Sequence, residues 1–334
     1  MKILAKIKKE WFILGMMAAI ALAVFTPNLG KTDGILHLDV VTSVGIALVF
    51  FLHGLGLSPQ AIKAGLSNWK LHIYVQLATF AAYPLLWVIF GNQFLAFMPA
   101  PLAFGFCYLF SLPSTVSSSV TMTSVGKGNV PGAIFNASLS SIIGVFITPA
   151  LVEAFMGLQG ADMNFWEAVL DIGKLLLIPM IAGQLLRPYL VAWMTRHKAI
   201  VGKLDKYVII LIVYNAFCDS MINQIWTQFS PSLLVLSIVV CVVVLIVMVH
   251  GIQWGARLCG FSMPDEVTAI FCGSKKTLAA GIPMAKVIFA SDPNLGMILL
   301  PIMLYHPLQI FYCAIIANRY AAKATDTDKV ATAS

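Results

Sequence analysis

Charge is what this sequence has least of. Only 10% of its 334 residues are Asp, Glu, Lys or Arg, and 60% are apolar, whereas an ordinary soluble domain carries about 25% charged residues. Such a chain cannot clothe a water-facing surface, so lipid is the solvent for most of it. Acidic residues number 14 against 21 basic ones. In a chain this apolar, the +7 balance reads as basic loops at one membrane face, not as a nucleic-acid surface. Cysteine lacks pattern: the six, at 107, 218, 241, 259, 272 and 313, stand singly, without metal or disulfide spacing, and read as small apolar filler. HExxH, GxSxG and a phosphate-cradling glycine loop are all missing, which argues against an enzyme and gives no reason to expect a cofactor. No cleavable leader is evident. The basic start MKILAKIKKEW runs into an apolar stretch that ends FTPNLGK without a small-residue cleavage site, so inner- or plasma-membrane insertion is expected.

What is present is a series of long apolar runs. A membrane-spanning helix needs about 20 mostly apolar residues. Ten candidates qualify, at 11–28, 38–56, 71–90, 98–123, 129–156, 166–186, 206–226, 232–257, 266–290 and 294–318. With the N-terminus in the cytoplasm, sixteen Lys and Arg fall in cytoplasmic segments and only Lys31 in an outer loop. That asymmetry supports the span count and puts both termini inside. The expected organisation is a cytoplasmic N-terminus (1–10), a first five-helix repeat (11–156), a linker (157–165), a second five-helix repeat (166–318) and a disordered cytoplasmic tail (319–334). Five is odd, so two such halves lie in opposite orientations. Spans four and nine are both interrupted, the pattern of an inverted-repeat secondary transporter with discontinuous crossing helices.

The first interruption is SLPSTVSSSV, 111–120. Pro113 removes a backbone donor, and Ser114, Thr115, Ser117, Ser118 and Ser119 crowd behind it. Unwound carbonyls and hydroxyls are ligands for a cation or polar solute at mid-membrane; alternatively, the hydroxyls merely bond back to their own turn. The second interruption is FCGSKKTLAAGIP, 271–283, which sets Ser274, Lys275, Lys276 and Thr277 between two glycines. A lysine at the bilayer centre costs about 3 kcal/mol on insertion scales. Adjacent residues on a helix point about 100° apart, so the two ammonium groups cannot share one pocket. Either they serve a buried site or they snorkel to the interface.

These segments carry a resemblance. GLGLSPQAI (54–62), LPSTVSSSV (112–120), GNVPGAIFN (128–136), FCGSKKTLAAGIPMAKVIF (271–289) and YHPLQI (305–310) resemble the bile acid:sodium symporter family, in its cotransporter-7-like branch, over nearly all ten spans. The resemblance implies a core domain holding the two broken helices and a panel of spans 1, 2, 6 and 7. Solute would lie between them and move by alternating access. It also implies sodium sites at the crossing. In span nine the family has a glutamate, then a glutamine four residues on followed by asparagine; here those positions read Phe271, Lys275 and Lys276. The family's Ser-Asn pair in span four reads Ser118-Ser119. Asn136 and Ser138 in span five and Gln76 and Thr79 in span three are the remaining candidates, with sodium conceivable at Ser118, Ser119 and Asn136.

The departure suggests that Lys275 takes the place of a bound sodium, since an ammonium offers three donors to the oxygens that would hold the metal. At least one family sodium site is then absent. A desolvated lysine is disfavoured in its charged form, which makes a proton, beside sodium, a candidate coupling ion. His306 is either a buried, hydrogen-bonded histidine or a proton-sensitive contact to span nine. Asp219 is either exposed or lines the solute cavity with Asn215. Asp171 and Lys174, three apart, are expected to neutralise one another. Tyr214 and Trp226 read as packing or interface anchors. The function these residues suggest is secondary transport of a small, anionic organic solute. A non-transporting sensor of the same fold is the alternative, and an intramembrane Ser–Lys hydrolase a remote one. Flux, binding without flux, or product release would separate the three. Substrate, coupling ion, direction and oligomeric state are left open.

Overall fold

A computed structural model describes residues 11–60, 63, 67–156, 165–222, 230–289, 292 and 294–333. The N-terminal segment 1–10, residues 157–164 of the expected linker, and Trp226 lie outside them. The described residues are helical apart from short connections, and none is in a strand.

We number the main segments α1 (Trp11–Phe25), α2 (Leu38–Gly56), α3 (Trp69–Phe97), α4 (Ala100–Ser111), α5 (Ser117–Val125), α6 (Val130–Met156), α7 (Phe165–Arg196), α8 (Lys198–Ile222), α9 (Pro231–Leu258), α10 (Met263–Gly273), α11 (Leu278–Ile288) and α12 (Leu295–Ala333). Among the described residues, six helices are long and apolar enough to cross a membrane: α2, α3, α6, α7, α9 and the Leu295–Ala324 part of α12. Two shorter apolar ones, Leu14–Phe25 and Ala100–Ser111, join them. Their outer faces carry side chains such as Met17, Val44, Val88, Leu185, Val243 and Phe311 in the open, as lipid-facing helices do.

Local chemistry sets the ends. Asn68 caps α3 by accepting from the Leu71 amide, and Thr277 caps α11 by accepting from Ala280. Proline in the first turn opens α4, α9 and α10, where its missing N–H costs nothing. Two expected boundaries shift. The basic stretch after residue 186 is helix, not loop: α7 runs to Arg196 and α8 begins at Lys198. Residues 319–333 are helical as the end of α12, where a disordered tail was expected; with alanines throughout and no glycine or proline after Pro307, nothing local stops that helix.

The helices pack in two groups. In one, α2 lies along α7, and α8 lies against α1 and α2. The closest approach is between α2 and α7: a Cβ on Gly54 would sit 2.0 Å from the Met180 carbonyl oxygen, and one on Gly183 2.0 Å from that of Phe51. In the other group α4 packs on α12, α3 and α6, and α10 packs on α9, α6, α5 and the first part of α3. One end of this second group is laced by polar bonds. Asp265 accepts from Asn68 (2.9 Å) and Asn129 (2.8 Å), joining α10 to the starts of α3 and α6. Glu266 accepts from Arg257 of α9 (2.9 Å) and from Tyr320 of α12.

Candidate functional site: the crossing of two broken helices

α4 and α5 are the two pieces of one interrupted helix, with Leu112–Val116 unwound between them. α10 and α11 are the pieces of another, with Ser274–Thr277 between. The two breaks touch directly: the Thr277 amide donates to the Pro113 carbonyl at 3.0 Å. Each break thus satisfies part of the backbone that the other frees, as a membrane interior requires.

Lys276 fills the centre of this crossing. Its side chain is 0% exposed, which rules out snorkelling. Its ammonium donates to three main-chain carbonyls, Leu112 at 2.7 Å, Phe110 at 2.9 Å and Thr79 at 2.9 Å, and lies 4.1 Å from the centre of the Tyr83 ring. Three donors meet three acceptors. Phe110 and Leu112 are at the C-terminal end of α4, the negative end of its dipole. Thr79 lies in a π-helical turn, Ala78–Ala82, that interrupts α3 just before Pro84. Proline cannot donate to the turn behind it, and the π turn re-aims that carbonyl toward the lysine.

The backbone of Lys276 is fixed as well. Gln309 of α12 accepts from its amide and donates to its carbonyl, both at 2.8 Å. The side-chain nitrogen of Gln309, Nε2, is also 3.0 Å from His306 Nδ1. Two residues earlier, the Ser274 carbonyl accepts from Tyr83 at 2.5 Å and Tyr305 at 3.2 Å. Lys275 is also wholly buried and turns to the other side of the crossing. Its ammonium donates to the Ser118 carbonyl at 2.8 Å and lies 5.5 Å from the Phe271 ring. The two lysines sit in an unwound stretch and diverge, so each has its own pocket.

The hydroxyl cluster is largely self-satisfied. Thr115 Oγ1 is 2.7 Å from Ser118 Oγ and 2.8 Å from Ser119 Oγ, and Ser119 donates to the Phe271 carbonyl at 2.8 Å. Ser274 bonds back to Ile270. The Ser114 hydroxyl is buried without a partner, although its amide donates to Ser140. Ser117 lies 3.2 Å from His53 Nε2. Asn136 bonds Gly132 and receives Gln76 at 3.3 Å, while the Gln76 carbonyl oxygen is buried without a partner. The Thr79 hydroxyl bonds back to Val75. Ser138 lines a separate surface recess beside α2. No Ser–Lys hydroxyl pair of the hydrolase kind forms at the crossing: both lysines are spent on carbonyls.

Beside the crossing lies a cavity of about 190 Å³ between the two helix groups. Phe12, His53 and Lys206 come from one group; Thr115, Ser117, Ser118, Thr277 and His306 come from the other. Among the described residues no carboxylate lines it. His306 touches Phe12 edge-on across it. Asn215 and Asp219 do not line this cavity. The buried Asn215 donates to the Gly30 carbonyl at 2.8 Å and accepts from Lys286 of α11 at 2.6 Å, and Asp219 takes the amide and hydroxyl of Thr32 at 2.6 and 2.7 Å. Together they tie α11 and α8 to the loop after α1. Tyr214 joins the same knot through Thr26. Asp171 and Lys174 pair at 2.8 Å on the exposed face of α7.

Sequence reasoning missed Gln309, Tyr83, Lys286 and His53. Gln309 stood inside YHPLQI, three residues after His306 and so on the same helix face; Tyr83-Pro84 marked the break in α3. The π turn itself leaves no signal beyond that proline.

An all-helical membrane bundle in which two broken helices meet at buried polar groups is transporter architecture. The chain belongs to the SBF-like CPA transporter family, which it matches over residues 10–322. It is 42% identical over 316 residues to a Pseudomonas aeruginosa protein named "Uncharacterized protein PA2026", with 94% of each chain covered. It is 40% identical over 310 residues to "Putative symporter YfeH" of Escherichia coli K12, with 92% of each covered. To "Sodium/bile acid cotransporter 7" of Rattus norvegicus it is 31% identical over 319 residues, covering 95% of this chain and 94% of that one. The names of the last two are those of transporters, not enzymes. The protein is thus an integral membrane protein of a transporter family, as the resemblance implied.

Proposed function

We propose that the protein is a secondary transporter of a small organic anion, working by alternating access, in which the ammonium of Lys276 replaces a bound cation at the crossing. The observation that carries this reading is the trio of main-chain carbonyls on that ammonium. Carbonyls of unwound helix are the kind of oxygen that can hold a small cation at mid-membrane; here a covalently tethered charge occupies them. The role expected for Lys275 falls better to Lys276, since Lys275 meets one carbonyl and Lys276 three. A free sodium ion does not fit this arrangement: at the crossing the carbonyls of Thr79, Phe110, Leu112 and Ser118 already accept from two lysines, and among the described residues no carboxylate joins them to offset a further charge.

On this reading α4/α5 and α10/α11 count as one composite span each, giving ten spans in two inverted halves. The group of α1, α2, α7 and α8 is the panel and the rest is the core. The basic end, with both termini, faces the cytoplasm. The cavity with Lys206 opens to that side, while the Lys286–Asn215–Gly30 contact closes the other, which is an inward-facing arrangement. The N-terminal ends of α5 and α11 border the cavity at Ser117 and Thr277. Those helix ends with His53 and Lys206 favour a negatively charged solute. Ligand pockets run to about 300–1,000 Å³, so 190 Å³ favours a small carboxylate or sulfonate over a steroid.

The test is uptake by proteoliposomes of a defined set of small carboxylates and sulfonates, with taurocholate included, in sodium or in choline. Accumulation of a small anion at equal rates in the two salts is expected. A strict sodium requirement overturns the tethered cation, and preferential taurocholate uptake overturns the size argument.

A further inference from the structure

Away from the crossing, α9 and α12 splay at the basic end of the core and leave a cavity of about 270 Å³ between them. His250, Arg257, Arg319 and Lys323 line it, with Tyr320 at its floor. Among the described side chains the nearest carboxylate, Glu266, is 7% exposed and already accepts from Arg257, Tyr320 and Gln253. Among the described side chains that line the cavity are three cations, Arg257, Arg319 and Lys323, and no carboxylate. Its walls are braced. His250 lies 2.7 Å from the Tyr312 hydroxyl, Gln253 donates to Tyr320 at 2.5 Å, and the Lys323 ammonium sits 5.8 Å from the Tyr320 ring centre.

The surroundings say what kind of anion this is. Trp254 and Leu258, in the last two turns of α9, are each 67% exposed; an exposed indole at a helix end is a membrane-interface anchor. Deeper along the same helices Val243, Val247, Phe311 and Ile315 are exposed, an apolar surface suited to acyl chains. A basic recess at headgroup depth above lipid-facing helices suits an anionic lipid. Arginine forks match the oxygens of a phosphate in pairs.

We propose that the α9–α12 cavity binds the phosphodiester headgroup of an anionic glycerophospholipid through Arg257, Arg319 and Lys323. The site lies in the core group and does not rest on the transport reading.

Native mass spectrometry of the full-length protein in an uncharged detergent tests it. The probes are phosphatidylglycerol, phosphatidylcholine of the same acyl chains, and inorganic phosphate. Phosphatidylglycerol is expected to be retained about tenfold or more over phosphatidylcholine. The double variant Arg319→Gln/Lys323→Gln, both exposed side chains, is expected to lose that preference, at about a factor of five per charge. A control pair on the panel, Arg196→Gln/Lys203→Gln, is expected to keep it. Equal loss in both pairs means diffuse surface attraction and overturns the site. Unchanged retention in Arg319→Gln/Lys323→Gln overturns it as well. Displacement of the lipid by millimolar inorganic phosphate overturns the lipid as the ligand and leaves a free-anion site.

Discussion

Replacing Lys276 with methionine keeps most of the side-chain volume and removes the charge, so the packing change is small and the three carbonyls of Thr79, Phe110 and Leu112 are left facing an apolar tip. Hydrogen bonds to a charged group contribute about 1.5–3 kcal/mol each, and three of them would sum to about 4.5–9 kcal/mol. Removing the ammonium also removes its own burial penalty, which is several kcal/mol. The balance resembles the breaking of a buried ionic arrangement from one side, about 3–5 kcal/mol of destabilisation. Lys276→Ala differs in one respect: it leaves room among the carbonyls for a free cation. If those oxygens are a cation site in which lysine is the resident, sodium should stabilise Lys276→Ala and not the wild type. At a sodium concentration 100 times its dissociation constant the gain is about 2.7 kcal/mol. The assay is thermal unfolding of the purified protein at a fixed heating rate, in sodium chloride and in choline chloride of equal strength. The expected pattern is a wild type indifferent to the salt, a strongly destabilised Lys276→Met equally indifferent, and a Lys276→Ala recovered by sodium alone. Lys276→Met unfolding with the wild type would refute the claim that the ammonium holds the crossing together. Sodium stabilising the wild type as much as Lys276→Ala would refute the claim that lysine has replaced the ion.

Other consequences are as direct. Gly54→Val and Gly183→Val each put side-chain atoms onto backbone of the facing helix, where even a Cβ lands 2.0 Å from a carbonyl oxygen; both are expected to abolish recovery of a monodisperse protein, whereas Gly56→Ala, with nothing within 4 Å, is expected to behave as wild type in size-exclusion chromatography. Asn215→Leu removes the acceptor for Lys286 and the donor to Gly30; a cysteine introduced at Ser220, buried farther along α8, is expected to react faster with a membrane-impermeant maleimide than in the Asn215 background, and an unchanged rate would show that this contact does not close that end. Tyr83→Phe takes one hydroxyl from the Ser274 carbonyl and from Tyr305, and a loss of about 1–3 kcal/mol is expected from the buried groups left behind, read as a lower unfolding midpoint; a neutral effect would mean that Tyr305 alone satisfies Ser274.

The long apolar runs were legible because lipid imposes one rule on them. The expected spans 129–156 and 232–257 agree with α6 and α9 to within a residue or so, and both interruptions fall where Pro113 and the Gly273–Ser274 pair announced them. The ends of α7 and α8 were not legible. A spanning-length rule ends a helix at the membrane surface, yet the basic residues from Arg187 to Lys206 are good helix formers and continue it into water. At the site, the sequence named both lysines and could not rank them. Rank depends on which carbonyls face each ammonium, and those belong to α3, the end of α4 and the start of α5, 157 to 197 positions away in the chain. Backbone oxygens carry no sequence signature. The hydroxyls of 114–119 drew attention for the same reason in reverse: they are visible in sequence, but most bond one another or their own turn, and it is the carbonyl of Ser118, not its hydroxyl, that meets Lys275.

A tethered cation and a dissociable one differ in what they let a transporter do. An ion that binds and leaves drives transport because it favours one conformation over the other and its concentration differs across the membrane. A lysine on α10–α11 reaches Phe110, Leu112 and Thr79 in both conformations if the core moves as a body, and it has no concentration to vary. It therefore assembles the crossing permanently and contributes nothing to coupling. On the proposed reading this leaves two sources of work. One is the gradient and charge of the solute itself, with about 2.3 kcal/mol per charge for each 100 mV of membrane potential. The other is a proton that arrives with the solute at His306, a titratable side chain that both lines the cavity and, through Gln309, touches the backbone of Lys276. The two separate cleanly in proteoliposomes. Collapsing a pH gradient at constant voltage leaves the first intact and abolishes the second, and His306→Gln abolishes the second alone. Uphill uptake that survives both treatments and follows voltage assigns the work to the solute's own charge.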